Sequence, residues 1–173
     1  MLFDGYFDFD GFRLGPNTAP GELASSGLNM MKKDIPDMGV SIFKGIVSMD
    51  GSKFMVDLYF RCENPWWMLL WPVIPVYPSS IPANDRLQKE RFRYTACARW
   101  LTLRMGVLQY RARDELGYEY ECGYKFDWGS ISAVRDPSRR FCDKGYLFVR
   151  FGNLGVDNNK EAIGNVTAAK MDQ

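Results

Sequence analysis

Phe54, Val56, Leu58, Phe60 and Cys62 share one parity of a continuous run, while Asp57, Tyr59 and Arg61 share the other. That period of two is the pattern of a strand with one face in a core and the opposite face meeting solvent or a partner. Val40, Ile42 and Ile46 precede it and lead through Asp50-Gly51, a dipeptide suited to a two-residue turn, so residues 40–62 are predicted to form a hairpin. The alternation returns at Tyr118, Tyr120, Cys122, Tyr124, Phe126 and Trp128, with Glu119, Glu121, Lys125 and Asp127 between them, and predicts a long half-buried strand. Gly129 breaks it, residues 130–135 form another short strand, Asp136-Pro137-Ser138 starts a turn, and Lys144-Gly145 introduces a strand over 146–151. At the front, Phe7-Asp8-Phe9, Asp10-Gly11 and Phe12-Arg13-Leu14 read as a short hairpin or a kinked strand.

Two segments carry helical signals. Thr18 can cap, Pro20 suits a first turn and Glu22 complements the helix dipole, giving a short helix that Gly27 ends. Asn84 or Asp85 can cap a long helix running to Gly106, on which Leu87, Tyr94, Ala98, Leu101 and Met105 fall on one side and face the sheet. Arg86, Lys89, Arg93 and Arg104 lie on a neighbouring side with Trp100, either as a solvated basic face or as an Arg/Trp contact face. Residues 29–39, with Pro36 and Gly39, read as a loop or irregular turn. The expected class is α+β: an antiparallel or mixed sheet of about five to six strands, with one long and one short helix on one face. Residues 1–152 are expected to form a single α+β domain and 153–173, poor in large apolar residues, a flexible C-terminal tail.

Composition narrows the chemistry. At 173 residues the chain can bury a real core, and 22 Lys plus Arg against 21 Asp plus Glu removes any argument from bulk charge for strong nucleic-acid or anionic-lipid binding. Histidine is absent, which excludes His-based triads, imidazole general bases and His-ligated zinc or haem. Cys62, Cys97, Cys122 and Cys142 form no C-x-x-C pair, and buried free thiols are expected. Met1-Leu2-Phe3-Asp4-Gly5 carries acid where a secretory leader needs a basic start, so a cytoplasmic location is the expectation.

Two acidic groups are candidates for chemistry. Asp4, Asp8 and Asp10 could hold a hard cation, but turn formation at Asp10-Gly11 accounts for them more simply. Asp114, Glu115, Glu119, Glu121 and Asp127 follow Arg111 and Arg113; strand alternation explains their spacing, and exposed together they would attract a basic partner such as a nuclease cleft. Phosphate-cradling loops and nucleophile elbows have no motif here, and Arg135, Arg139, Arg140 and Arg150 are weak candidates for phosphate contacts. No catalytic residue, metal ligand or cofactor is assigned, and an enzyme is not the preferred reading.

Residues 65–78 read Pro-Trp-Trp-Met-Leu-Leu-Trp-Pro-Val-Ile-Pro-Val-Tyr-Pro, a charge-free run holding three of the five tryptophans. It is shorter than the roughly 20 apolar residues of a spanning helix and is interrupted by Pro72, Pro75 and Pro78. It is expected either to be an exposed docking loop or to fold back over its own sheet. The candidate partner-binding anchors are Trp66, Trp67, Trp71 and Tyr77, with Arg93 and Trp100 of the helix as a second choice.

The stretch Tyr124-Lys125-Phe126-Asp127-Trp128-Gly129-Ser130-Ile131, with Asp136-Pro137 and Tyr146-Leu147-Phe148-Val149-Arg150, resembles small immunity proteins encoded beside bacterial polymorphic toxins, of the contact-dependent or type VI kind. Phe12-Arg13-Leu14-Gly15-Pro16-Asn17-Thr18 adds to that likeness. The resemblance implies a cytoplasmic inhibitor that binds a cognate toxin domain and occludes its active site; it carries over no residue roles. Two alternatives stand beside it: a membrane-peripheral or assembly protein using the Trp/Pro segment, and a small carboxylate-dependent enzyme.

Overall fold

A computed structural model describes residues 4–61, 63–74, 76–135 and 145–152. Strands β1 (Phe7–Phe9) and β2 (Phe12–Leu14) form a small antiparallel hairpin, followed by the short helix α1 (Pro20–Ser25). Then come β3 (Met30–Ile35), a 3-10 turn at Pro36–Met38, β4 (Val40–Met49), β5 (Ser52–Arg61) and β6 (Asn64–Pro72). Helix α2 (Arg86–Met105) leads to β7 (Tyr110–Arg113), β8 (Glu119–Phe126), β9 (Gly129–Arg135) and β10 (Gly145–Phe151). The main sheet has eight strands in the order β3-β4-β5-β6-β10-β9-β8-β7, and every pair in it is antiparallel. It is two four-stranded meanders, joined where their last strands β6 and β10 pair, with α2 crossing between them.

The α+β class holds, but the strand count rises from the expected five or six to eight. The additions are β3, β6 and β7. Residues 29–39, read as a loop, contain β3, whose charged centre Lys32-Lys33-Asp34 hid any alternation because it is an outer strand with little to bury. The Trp/Pro segment, read as a loop, is largely β6, which lies inside the sheet between β5 and β10. Its prolines fit because β10 pairs with it only from Trp67 to Leu70. Pro65 sits at the register shift opposite Phe60, and Pro72 is the last residue, so neither removes a donor from the central ladder. Pro75, Cys62, the turn at 136–138, Arg139, Arg140, Cys142, Lys144 and the segment 153–173 lie outside the described residues.

Other local readings have visible causes. Asp10-Gly11 and Asp50-Gly51 both take positive φ, 50° and 87° in the first and 50° and 75° in the second, as the twist of a tight hairpin requires. Asp85 is the cap of α2, its side chain accepting from Gln88 N at 2.9 Å. In α1 the cap position is Ala19, whose N–H donates to Glu22, while Thr18 Oγ1 instead accepts from Gly15 N. The helix ends at Ser25, before Gly27.

The main core lies on one face of the sheet. Phe43 and Val47 of β4, Phe54, Val56, Leu58 and Phe60 of β5, Met68 and Leu70 of β6, and Leu147 and Val149 of β10 meet Tyr94, Cys97, Trp100 and Leu101 of α2. Leu23 of α1 and Phe7, Phe9 and Leu14 of the small hairpin complete it. Leu87, placed on the buried side of α2 by its spacing, is exposed; the helix is rolled so that Glu90 is buried instead, paired with Arg135 at 3.4 Å. Gly145 makes the approach of α2 to β10 possible, since a Cβ there would lie 2.3 Å from Tyr94 N.

Candidate functional site

All described helices and the β1–β2 hairpin pack on that core face; none packs on the other. Cross-strand pairing arranges the second face in rows. Ile42, Tyr59, Trp67 and Arg150 form one, and Lys44, Asp57, Leu69 and Phe148 the next. A third runs Ile46, Met55, Trp71 and Tyr146. Tyr59 and Trp67 stack in parallel with centroids 4.0 Å apart, Trp67 meets Phe148 edge-on at 6.0 Å, and Trp71 lies 6.1 Å from Tyr146. Burial and the Asp57 carboxylate push the Tyr59 hydroxyl up to about 12, so it stays neutral.

One end of this face is open and apolar. Met31 is 74% exposed, Ile46 59% and Met55 49%, and with Trp71 they enclose a hollow of about 350 Å³ around the Lys44–Asp57 ion pair, whose atoms are 2.5 Å apart. Single exposed apolar residues are ordinary, but three neighbours around one hollow form a patch of the kind that marks an interaction surface. Methionine suits it because its unbranched thioether adapts to an irregular partner. The same strands supply Phe43 and Val56 to the core, so the patch rests on a rigid scaffold.

The six predicted anchors separate into four places. Trp67 and Trp71 lie on the uncovered face, and Trp71 is only 8% exposed, forming part of the hollow rather than projecting from a loop. Trp66 points to the sheet end, with the Arg61 guanidinium 5.2 Å from its ring, beside a groove of about 480 Å³ shared with Asn17, Asp127 and Trp128. Tyr77 and Arg93 are together, but on α2: Tyr77 packs on Phe92 at 5.8 Å and lies 5.6 Å from the Arg93 guanidinium. Trp100 is a core residue at 9% exposure, edge-on to Phe54, and the proposed Arg/Trp contact face therefore lacks its tryptophan. The Trp/Pro run is strand through Pro72, so its tryptophans do not sit in a loop, and no described helix is long and apolar enough to cross a membrane.

Met31, Ile46 and Met55 were missed. Ile46 belongs to the hairpin's apolar pattern, yet it pairs with Met55 on the face opposite Phe54 and Val56. The parity of β5 was the signal that could have found Met55. Met31 could not be placed without recognising β3.

The acidic stretch is dispersed. Asp114 Oδ1 accepts from the backbone of Leu116 and Tyr118, Glu119 is held by Tyr94 at 2.6 Å and Arg111 at 2.8 Å, and Glu121 accepts from Tyr110 at 2.8 Å. A register irregularity between Ala112 and Arg113 accompanies this division. Burial works against the Glu119 charge, but the Tyr94 and Arg111 hydrogen bonds outweigh it and hold the carboxyl below its ordinary range. The three front carboxylates have separate structural tasks: Asp4 pairs with Arg13, Asp8 accepts from Gly11 N, and Asp10 accepts from Ser48 N. No group of three metal-ligating side chains occurs among the described residues. Cys97 and Cys122 are free and buried, and burial raises both thiols, away from nucleophilic use.

No family model, no curated protein and no solved structure matches this chain.

Proposed function

We propose that this chain is a protein-binding inhibitor that neutralises a cognate bacterial toxin by covering its active site, and that it docks through the uncovered face of its sheet. The observation that carries the reading is the exposed Met31, Ile46 and Met55 patch around the Trp71 hollow, set on strands whose other face is core. An inhibitor of this kind needs a rigid platform, a few deeply buried apolar anchors and a polar surround, and the face supplies all three. The enzyme alternative needs two carboxylates converging in a cleft; the candidates instead hold turns, strands and hydroxyls in separate places.

The test is co-expression with a bacterial toxin domain, beginning with any that an adjacent reading frame encodes. The unmodified chain is expected to restore growth and co-purify with that domain. The Ile46→Asp/Met55→Asp double variant, still folded by circular dichroism, is expected to do neither. Full protection by the double variant would remove this face from the interface, and absence of any binding by the unmodified chain would overturn the inhibitor reading.

A further inference from the structure

We infer that the occupant of the uncovered sheet face is an acidic protein segment that presents apolar side chains, an assignment that rests on the reading of this face as the docking surface. Formal charge is unevenly distributed over the molecule. On this face Lys33, Lys44, Lys53, Arg61, Lys125 and Arg150 stand against Asp57, Glu121 and, at the sheet end beside Arg61, Asp127, whereas the whole chain carries 22 cations against 21 acids. Each assignment follows from cross-strand pairing. Lys33 faces Ile42, Lys53 faces Ser48, Arg61 faces Val40, Arg150 faces Trp67, and Lys125 faces Ser130 across from Arg150. The cations surround the apolar region on several sides, and the one carboxylate inside the hollow, Asp57, is already neutralised by Lys44. A rim of this kind steers an acidic surface toward the apolar centre and repels a basic one.

Aromatics with basic neighbours on an antiparallel sheet could also take single-stranded nucleic acid, so the ring geometry decides between the two. Tyr59 and Trp67 are directly opposed on neighbouring strands and their planes differ by 6° at 4.0 Å, so they stand upright and face each other. Base stacking needs an open π face; each ring gives one face to the other, Tyr59 is only 7% exposed, and Phe148 lies edge-on to Trp67 at 6.0 Å. The exposed members of the patch are Met31, Ile46 and Met55, which offer apolar contact and no stacking plane. Both outer strands are also unsuited to accepting an added strand, because β3 carries Lys32-Lys33-Asp34 and β7 carries Arg111 and Arg113. The face, rather than an edge, is therefore the docking element.

The experiment pans displayed random peptides on the full chain at low salt, with counter-selection on the Ile46→Asp/Met55→Asp variant. Retained peptides are expected to combine Asp or Glu with Leu, Phe or Trp. Their affinity is expected to fall with added salt, and by about tenfold in a Lys33→Glu/Lys53→Glu variant, the scale of two exposed charge reversals. Peptides that need Ile46 and Met55 but show no acidic bias and no response to charge reversal would overturn the acidic partner while leaving the docking face intact. Failure to recover any peptide sensitive to Ile46 and Met55 would overturn both. Fluorescent oligo(dT) and phosphatidylserine vesicles are run in parallel, and binding of either that the Ile46→Asp/Met55→Asp pair abolishes would replace the protein partner with that anion.

Discussion

Leu58 and Met55 lie three residues apart on β5, yet Leu58 is sealed beneath the helices and Met55 stands half exposed on the other side of the sheet. The two faces are both rich in large apolar side chains, and they differ in what covers them. On the packed face, helices and the small hairpin interlock with strands, so a lost methylene leaves a void. On the uncovered face, aromatic rings shelter one another around Tyr59 and Trp67 and give way at one end to exposed, unbranched methionines. Apolar content alone therefore does not identify a core; the presence of a second layer does.

The contrast can be broken most severely at the buried Glu90–Arg135 ion pair inside the packed layer. Glu90→Ala leaves buried Arg135 with only the Asp114 carboxylate, 4.0 Å away, and a loss of about 3 kcal/mol in urea unfolding is expected. A loss under about 1 kcal/mol would show that Asp114 or water compensates the Arg135 charge. Next in size, Leu58→Ala is expected to cost about 2–5 kcal/mol, whereas Met55→Ala changes stability by no more than about 0.5 kcal/mol. Equal costs at the two positions would mean that the second face is as well covered as the first. Asp85→Ala removes the α2 cap and is expected to lower stability by about 1 kcal/mol, measured by the thermal midpoint, without altering binding at the sheet face.

The smallest effect concerns the margin of the packed layer. Because the Glu119 carboxyl is held below its ordinary range, its contribution is full above the unfolded carboxylate value near pH 4.3 on average and fades as pH falls through the lower folded value. With the group partly exposed, the amount is a few tenths of a kcal/mol. Glu119→Gln is expected to flatten the acid limb of the stability profile, read by unfolding at a series of pH values between about 2 and 6. An unchanged slope would show that Tyr94 and Arg111 do not hold the charge.

Several elements were legible because their physics is local. The parity of Phe54, Val56, Leu58 and Phe60, the turns at Asp10-Gly11 and Asp50-Gly51, and the cap before α2 need only neighbours in sequence to act. Element β6 was illegible for the opposite reason: three tryptophans and nearby prolines look like a loop until β5 and β10 are known to flank them. Of the six anchors, Trp67 and Trp71 belong to the uncovered face, while Trp100, read from the same composition logic, is core. Tryptophan enrichment speaks for burial by something, and sequence does not say whether the cover is internal.

What the sequence by itself determined was therefore the set of strands with clean alternation, both helices, the α+β class and the exclusion of histidine chemistry. Those follow from side-chain period, backbone preference and the inventory of available groups. Only the tertiary structure decided that two meanders join through β6 and β10, that α2 covers one face, and that Met31, Ile46 and Met55 converge around Trp71 on the other. Such convergence depends on strand order and register between segments distant in the chain, which no local pattern encodes.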